Sequence, residues 1–118
     1  MSNPVGSICH LEIFATDVEV SGKFYQDLFG WKITMLDNGW MLWDDPAGLG
    51  GDFVTSGTPI PKSTTFYISV DDIPTALERV VKLGGIVVQE KTDIGHDYGF
   101  YALILDPAGN HIGLWSKE

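Results

Sequence analysis

A single cysteine, Cys9, stands among the 118 residues, so no disulfide can form within them. A small secreted scaffold stapled by disulfides is therefore excluded. Basic residues are also scarce. Seven Lys and Arg against sixteen Asp and Glu leave a formal charge of −9. With no basic stripe, nucleic-acid binding is excluded as an ordinary function, and an anionic membrane surface is disfavoured. The longest apolar run, Phe100 to Leu105, has six residues, far short of the roughly 18 that a membrane span requires. Residues 1–7 carry no Lys or Arg leading into an apolar stretch. No secretory signal is read there, and cytoplasm is the expected compartment. The glycines form neither a G-x-x-x-x-G-K-[ST] loop nor a G-x-G-x-x-G turn, so a nucleotide-phosphate cradle is not expected. What remains is 44% hydrophobic and 12% aromatic, a composition and length suited to one domain spanning 1–118. The acidic excess serves solubility first and would also steer a cationic ligand.

The chain reads as two similar halves. In His10-Leu-Glu-Ile-Phe-Ala-Thr-Asp17, Leu11, Ile13 and Ala15 alternate with His10, Glu12 and Phe14, as in a half-buried strand. Asp17 is placed to cap a helix whose apolar stripe is Val20, Phe24 and Leu28, and Gly30 is placed to end it. From Thr65 the pattern returns: Phe66, Ile68 and Val70 alternate, and Asp71 or Asp72 caps with Pro74 in the first turn. Ile73, Leu77, Val80 and Val81 form the second stripe, and Gly84 ends that helix. Asp17 to Gly30 and Asp71 to Gly84 are both 13 residues. The offset between halves is 54 residues there and 55 at the strand start, so a bulge is expected in the first strand. The tetrapeptide Asp45-Pro-Ala-Gly48 recurs as Asp106-Pro-Ala-Gly109, a type I turn signature joining two strands. Each half is thus strand, helix, three strands: module one at about 8–55, a linker at 56–63 and module two at about 64–116. The predicted class is α+β, two tandem βαβββ modules whose curved mixed sheets surround a concave cavity.

Counting back from each turn as an unbulged hairpin pairs Met41 with Asp52, Trp43 with Gly50, Ala102 with Gly113, Ile104 with His111 and Phe100 with Trp115. Paired residues share a face. That reading puts Leu103, Leu105, Ile112 and Leu114 against the helix. It leaves aromatics, histidine and carboxylate on the concave side, a mixture that suits a ligand or a dimer interface. Cys9 faces away from His10 on the strand and is expected to be a small buried hydrophobe.

The ordered set His10-Leu-Glu-Ile with Asp17, Phe24-Tyr25, Leu28-Phe29-Gly30-Trp31, Val70-Asp71, Ala76, Gly84-Gly85 and Asp106-Pro-Ala-Gly-Asn110 with Gly113-Leu-Trp115 resembles the vicinal oxygen chelate superfamily. That superfamily includes glyoxalase I, bleomycin-resistance proteins and extradiol dioxygenases, and the resemblance covers nearly the whole chain. It implies paired βαβββ modules, commonly a homodimer, and in the metal enzymes a divalent ion held by His and Glu from the first and fourth strands of each module. Carried over position by position, the resemblance puts the first ligand on His10, its counterpart on Thr65, the last-strand carboxylate on Gly113 and the module-one carboxylate on Asp52. Thr65 is a weak ligand and Gly113 has no side chain.

A degenerate site is therefore expected, with no metal and no cofactor, His10 and Asp52 being the remaining metal candidates. A rebuilt site of His10, Glu12, Asp52 and His111 is the alternative. The expected ligand-contacting residues are His10, Glu12, Trp43, Asp52, Thr65, Tyr67, Phe100, His111 and Trp115. The expected partner is a small molecule, aromatic or cationic, held by stacking and charge. The alternatives are a divalent-metal lyase, isomerase or dioxygenase, and a non-catalytic dimer module.

Overall fold

The computed structural model describes residues 4–118. Its first half runs β1 (Leu11–Phe14), α1 (Val18–Phe29), β2 (Lys32–Met35), β3 (Met41–Asp44) and β4 (Gly50–Val54). Its second half runs β5 (Tyr67–Ser69), α2 (Ile73–Lys82), β6 (Ile86–Asp93), β7 (Phe100–Leu105) and β8 (His111–Ser116). Each half forms a four-stranded mixed sheet, in the orders β1-β4-β3-β2 and β5-β8-β7-β6. The repeat read from the sequence is thus a repeat of topology. No helix among the described residues is long and apolar enough to cross a membrane.

The helices begin and end where their caps dictate. Asp17 accepts the backbone N–H groups of Glu19 and Val20 at 3.0 and 3.3 Å, and Gly30 closes α1 at φ 74°. For α2, Asp72 rather than Asp71 is the cap, accepting from the Thr75 N–H at 3.0 Å. Hydrogen bonds from the Thr75 side chain and backbone hold the Asp72 carboxyl below its ordinary range. The last turn of α1 carries no basic residue, and Arg79 of α2 donates to the Asp27 carbonyl there. A cation at a helix C-terminus opposes the negative end of its dipole. The stripes sit slightly off the expected ones. Phe24, Tyr25 and Leu28 are buried in α1, and Ile73, Ala76 and Val80 in α2, whereas Val20 and Val81 face outward.

Both hairpin registers differ by one residue from the unbulged expectation. Leu42 faces Asp52 and Trp43 faces Gly51; in the second half Phe100 faces Ser116, Ala102 faces Leu114 and Leu105 faces His111. The cause is the glycine of each repeated turn. Gly48 and Gly109 adopt φ 105° and 90°, and the loops close one residue later, Asp45 N–H to the Leu49 carbonyl and Asp106 N–H to the Asn110 carbonyl. A turn followed by a left-handed residue adds one position to the loop, and one position reverses the side chains of one strand relative to its partner. Ala102, Ile104, Ile112 and Leu114 therefore form the fully buried face under α2. Trp43 and Met41 join Ile13 and Phe53 in the core under α1. No bulge interrupts β1 against β4; the register shifts lie in β6. Cys9 lies ahead of the first paired residue, Leu11, and is exposed rather than buried.

A buried polar group joins the modules. The Tyr25 hydroxyl of α1 donates to Asp106 Oδ2 at 2.8 Å, and Asn110 Nδ2 reaches both that oxygen and the Phe14 carbonyl, each at 2.7 Å. Asn110 Oδ1 accepts from the Ile60 N–H of the linker at 2.7 Å. Burial and the neighbouring Asp106 carboxylate raise the Tyr25 pKa well above the ordinary tyrosine value. A tyrosine that holds its proton longer in the folded state stabilises the fold below pH about 10, and this contribution fades as pH rises above that value. Tyr25→Phe should therefore flatten the alkaline fall in stability by up to about 1.4 kcal/mol per pH unit above pH 10, read from urea unfolding at pH 8 to 11. Asn110→Ala should cost about 3 kcal/mol at neutral pH, since it strands buried groups of three segments.

Candidate functional site

β1 and β4 run parallel with Glu12 opposite Asp52, and His10 precedes Glu12 by two residues on the same side. The three side chains consequently converge. His10 Nε2 lies 3.3 Å from Asp52 Oδ1, and one donor atom from each of His10, Glu12 and Asp52 falls within 4.8 Å of the other two. His10 is half exposed and Asp52 largely covered, at 50% and 16% of side-chain surface. One nitrogen and two carboxylates at this spacing fit a hard or borderline divalent cation and leave positions for water or substrate. The fourth expected member, His111, is not part of this group. It opens β8 beside the linker, its N–H donating to the Ile60 carbonyl at 2.9 Å and its Nδ1 buried without a hydrogen-bond partner.

The equivalent place in module two is built differently. There Tyr67 stands opposite Gly113, as Glu12 stands opposite Asp52. A Cβ on Gly113 would collide with the Tyr67 ring, so the ring occupies the space above the glycine. Thr65 spends its hydroxyl on the Lys62 carbonyl at 2.8 Å. Module two thus offers neither imidazole nor carboxylate at the two positions of the resemblance.

Between the modules lies an open cleft of about 740 Å³. Glu12, Trp43, Thr65 and Tyr67, all read from the sequence as ligand-contacting, border it. Trp43 does so as a core residue, 1% exposed, with its indole stacked on Trp31 at 4.3 Å between centroids and its Nε1 donating to the Asp52 carbonyl. His10 and Asp52 adjoin the cleft through Glu12. Phe29, Trp31, Leu49 and Phe66 form part of its apolar wall. These four were not read as site residues. Phe29-Gly30-Trp31 was a visible aromatic pair around a helix cap, but its meeting with β5 is set by tertiary packing.

Phe100, His111 and Trp115, all expected to contact the ligand, do not border the cleft. Phe100 and Trp115 do not pair, because the register puts them on opposite faces of the sheet; Phe100 instead lies under the Lys91 ammonium, 4.5 Å from the ring centre. Trp115 does not border the cleft. Its Nε1 donates to the Tyr98 carbonyl at 2.8 Å and its ring lies against Gly99, which anchors the 94–99 loop.

Residues 7–114 match the family model of the Glyoxalase/Bleomycin resistance protein/Dioxygenase superfamily. A glyoxylase-like domain-containing protein of Didymella fabae is 36% identical over 114 residues, covering 89% of each chain. The putative glyoxylase CFP32 of Mycobacterium tuberculosis is 33% identical over 118 residues, covering 92% of this chain and 44% of its own. The chain therefore spans under half the length of that second relative. Among solved structures, a glyoxalase/bleomycin resistance protein/dioxygenase family enzyme of Burkholderia phytofirmans superposes with a TM-score of 0.75 at 14% identity, covering 96% of this chain and 100% of its own.

The His10–Asp52 contact is open to solvent on its histidine side, and solvent-accessible pairs contribute about 0 to 1 kcal/mol. His10→Ala should accordingly leave urea stability within about 1 kcal/mol of wild type. A larger loss would make the cluster a structural element rather than an open binding group.

Proposed function

The chain belongs to the Glyoxalase/Bleomycin resistance protein/Dioxygenase superfamily, and on that premise we propose that it binds a small, largely apolar planar molecule in the cleft between its modules, without needing a metal ion to do so. The observation that carries this reading is the cleft itself. Its volume of about 740 Å³ falls within the range of small-molecule sites, which are mostly apolar with a few placed polar groups. Phe29, Phe66 and Tyr67 supply aromatic surface backed by the buried Trp31 and Trp43, and Glu12 and Asp45 supply carboxylates. The absence of an imidazole at Thr65 and of a carboxylate at Gly113 supports a binding role over the family's four-ligand chemistry.

A second reading rests on one different observation, the convergence of His10, Glu12 and Asp52. If these residues hold a divalent ion, the ion would supply Lewis-acid polarisation of a substrate oxygen. The three side chains would then orient that substrate at the cleft's edge, as suits a lyase, isomerase or dioxygenase.

Quenching of tryptophan fluorescence by 9-anthracenemethanol separates the two readings. The binding reading expects saturable quenching with a Kd of about micromolar order, the same with and without EDTA. It also expects calorimetric titration of stripped protein with Zn²⁺ or Ni²⁺ to give no tight one-to-one isotherm. A tight isotherm that His10→Ala abolishes, with probe binding only in the metal-loaded protein, would replace the first reading by the second.

A further inference from the structure

We propose that Tyr67, held in place by Gly113, and Glu12 form the specificity-determining pair of the cleft, and that together they select a planar aromatic cation. This rests on the cleft reading above and goes beyond it by naming the ligand's charge and the two side chains that read it.

Glu12 and Tyr67 occupy equivalent places in the two modules, each on the first strand and opposite a residue of the fourth. The modules have diverged at this point. Module one presents a carboxylate, and module two presents an aromatic ring. Both border the same cleft. Tyr67 is 52% exposed, unusual for a ring that is also packed against backbone. Gly113 explains the arrangement, since any side chain there would collide with the ring. The glycine lets the ring pack against the strand while leaving surface free for a ligand. Such a ring offers a π face for stacking and for cation–π attraction. The Glu12 carboxylate makes no hydrogen bond among the described residues, while that of Asp45, the other acid of the cleft, accepts from the Ala47 and Leu49 N–H groups of its own turn at 2.9 Å each. Among the described residues, no Lys or Arg borders the cleft. An anion would therefore meet repulsion without compensation, a neutral ring would gain stacking alone, and a flat cation would gain both stacking and charge pairing.

Three tricyclic probes of matched shape test the pair by tryptophan quenching and calorimetry in EDTA: N-methylacridinium, 9-anthracenemethanol and anthracene-9-carboxylate. The cation should bind at least about tenfold more tightly than the neutral probe, and the anion more weakly than both. Glu12→Gln should remove most of the cation's advantage, weakening the cation severalfold more than it weakens the neutral probe. Tyr67→Leu should weaken cation and neutral probe alike by about fivefold or more, while Tyr67→Phe retains both. Gly113→Ala should act like Tyr67→Leu; because it intrudes on packed strands, its folding is checked by circular dichroism, and the exposed-ring variants carry the test if it fails to fold. Equal binding of cation and neutral probe, or a preference that survives Glu12→Gln, overturns this proposal and leaves the cleft reading standing. Undiminished binding in Tyr67→Leu does the same. If none of the three probes binds, the cleft reading falls and this proposal with it.

Discussion

The arrangement of the cleft depends on the buried carboxylate of Asp106. Asp106 is almost wholly removed from solvent, and burying a charge is costly unless hydrogen bonds replace its water. Here they do. One oxygen accepts the backbone N–H groups of Ala108 and Asn110, and the other accepts the Tyr25 hydroxyl and the Asn110 amide. Through Tyr25 it holds α1; through Asn110 it holds the end of β1 and the linker at Ile60. The cleft is bordered by residues of β1, of the end of α1 and the segment after it, of β3 and its turn, of the linker and of β5. The first strand, α1 and the linker are tied directly or through their neighbours to this one group. Removing a partner strands a buried charge and frees the modules to shift relative to one another.

The repeated turn serves a different role in each module. Asp45 and Asp106 make the same local bonds, each accepting from the backbone two and four residues on at 2.9 Å. The modules differ four residues after the aspartate, where one has Leu49 and the other Asn110. Leu49 has no polar group to offer and lines the cleft. Asn110 has both a donor and an acceptor, and it becomes the tie between modules. A similar divergence separates Glu12 with Asp52 from Tyr67 with Gly113. One module keeps polar ligand atoms, and the other replaces them with an aromatic ring over a glycine.

Much of the fold was legible because local rules set it. The caps at Asp17 and Gly30, the Pro74 helix start, the strand alternation of 10–15 and the twofold repeat all rest on interactions within a few residues of chain. The hairpin registers were not legible from the tetrapeptide, because whether Gly48 and Gly109 close the turn or extend it depends on their φ angle. That single angle moved Phe100 to the opposite face from Trp115 and sent Trp43 into the core. In the site, the His10–Glu12–Asp52 group was legible, since residues two apart on one strand share a face and the resemblance had indicated the partner strand. The contributions of Phe29, Trp31, Leu49 and Phe66 were not, because the gap they border exists only once the two modules pack together.

The most direct measurement is the map of backbone and indole N–H shifts in ¹⁵N-labelled protein titrated with 9-anthracenemethanol, with and without EDTA. The account predicts shifts concentrated at Leu11, Glu12, residues 65–69 and the indole of Trp31, with the same pattern in both conditions. Shifts centred instead on the α1–α2 seam around Arg79, or shifts that vanish on chelation, would contradict a metal-independent site between the modules.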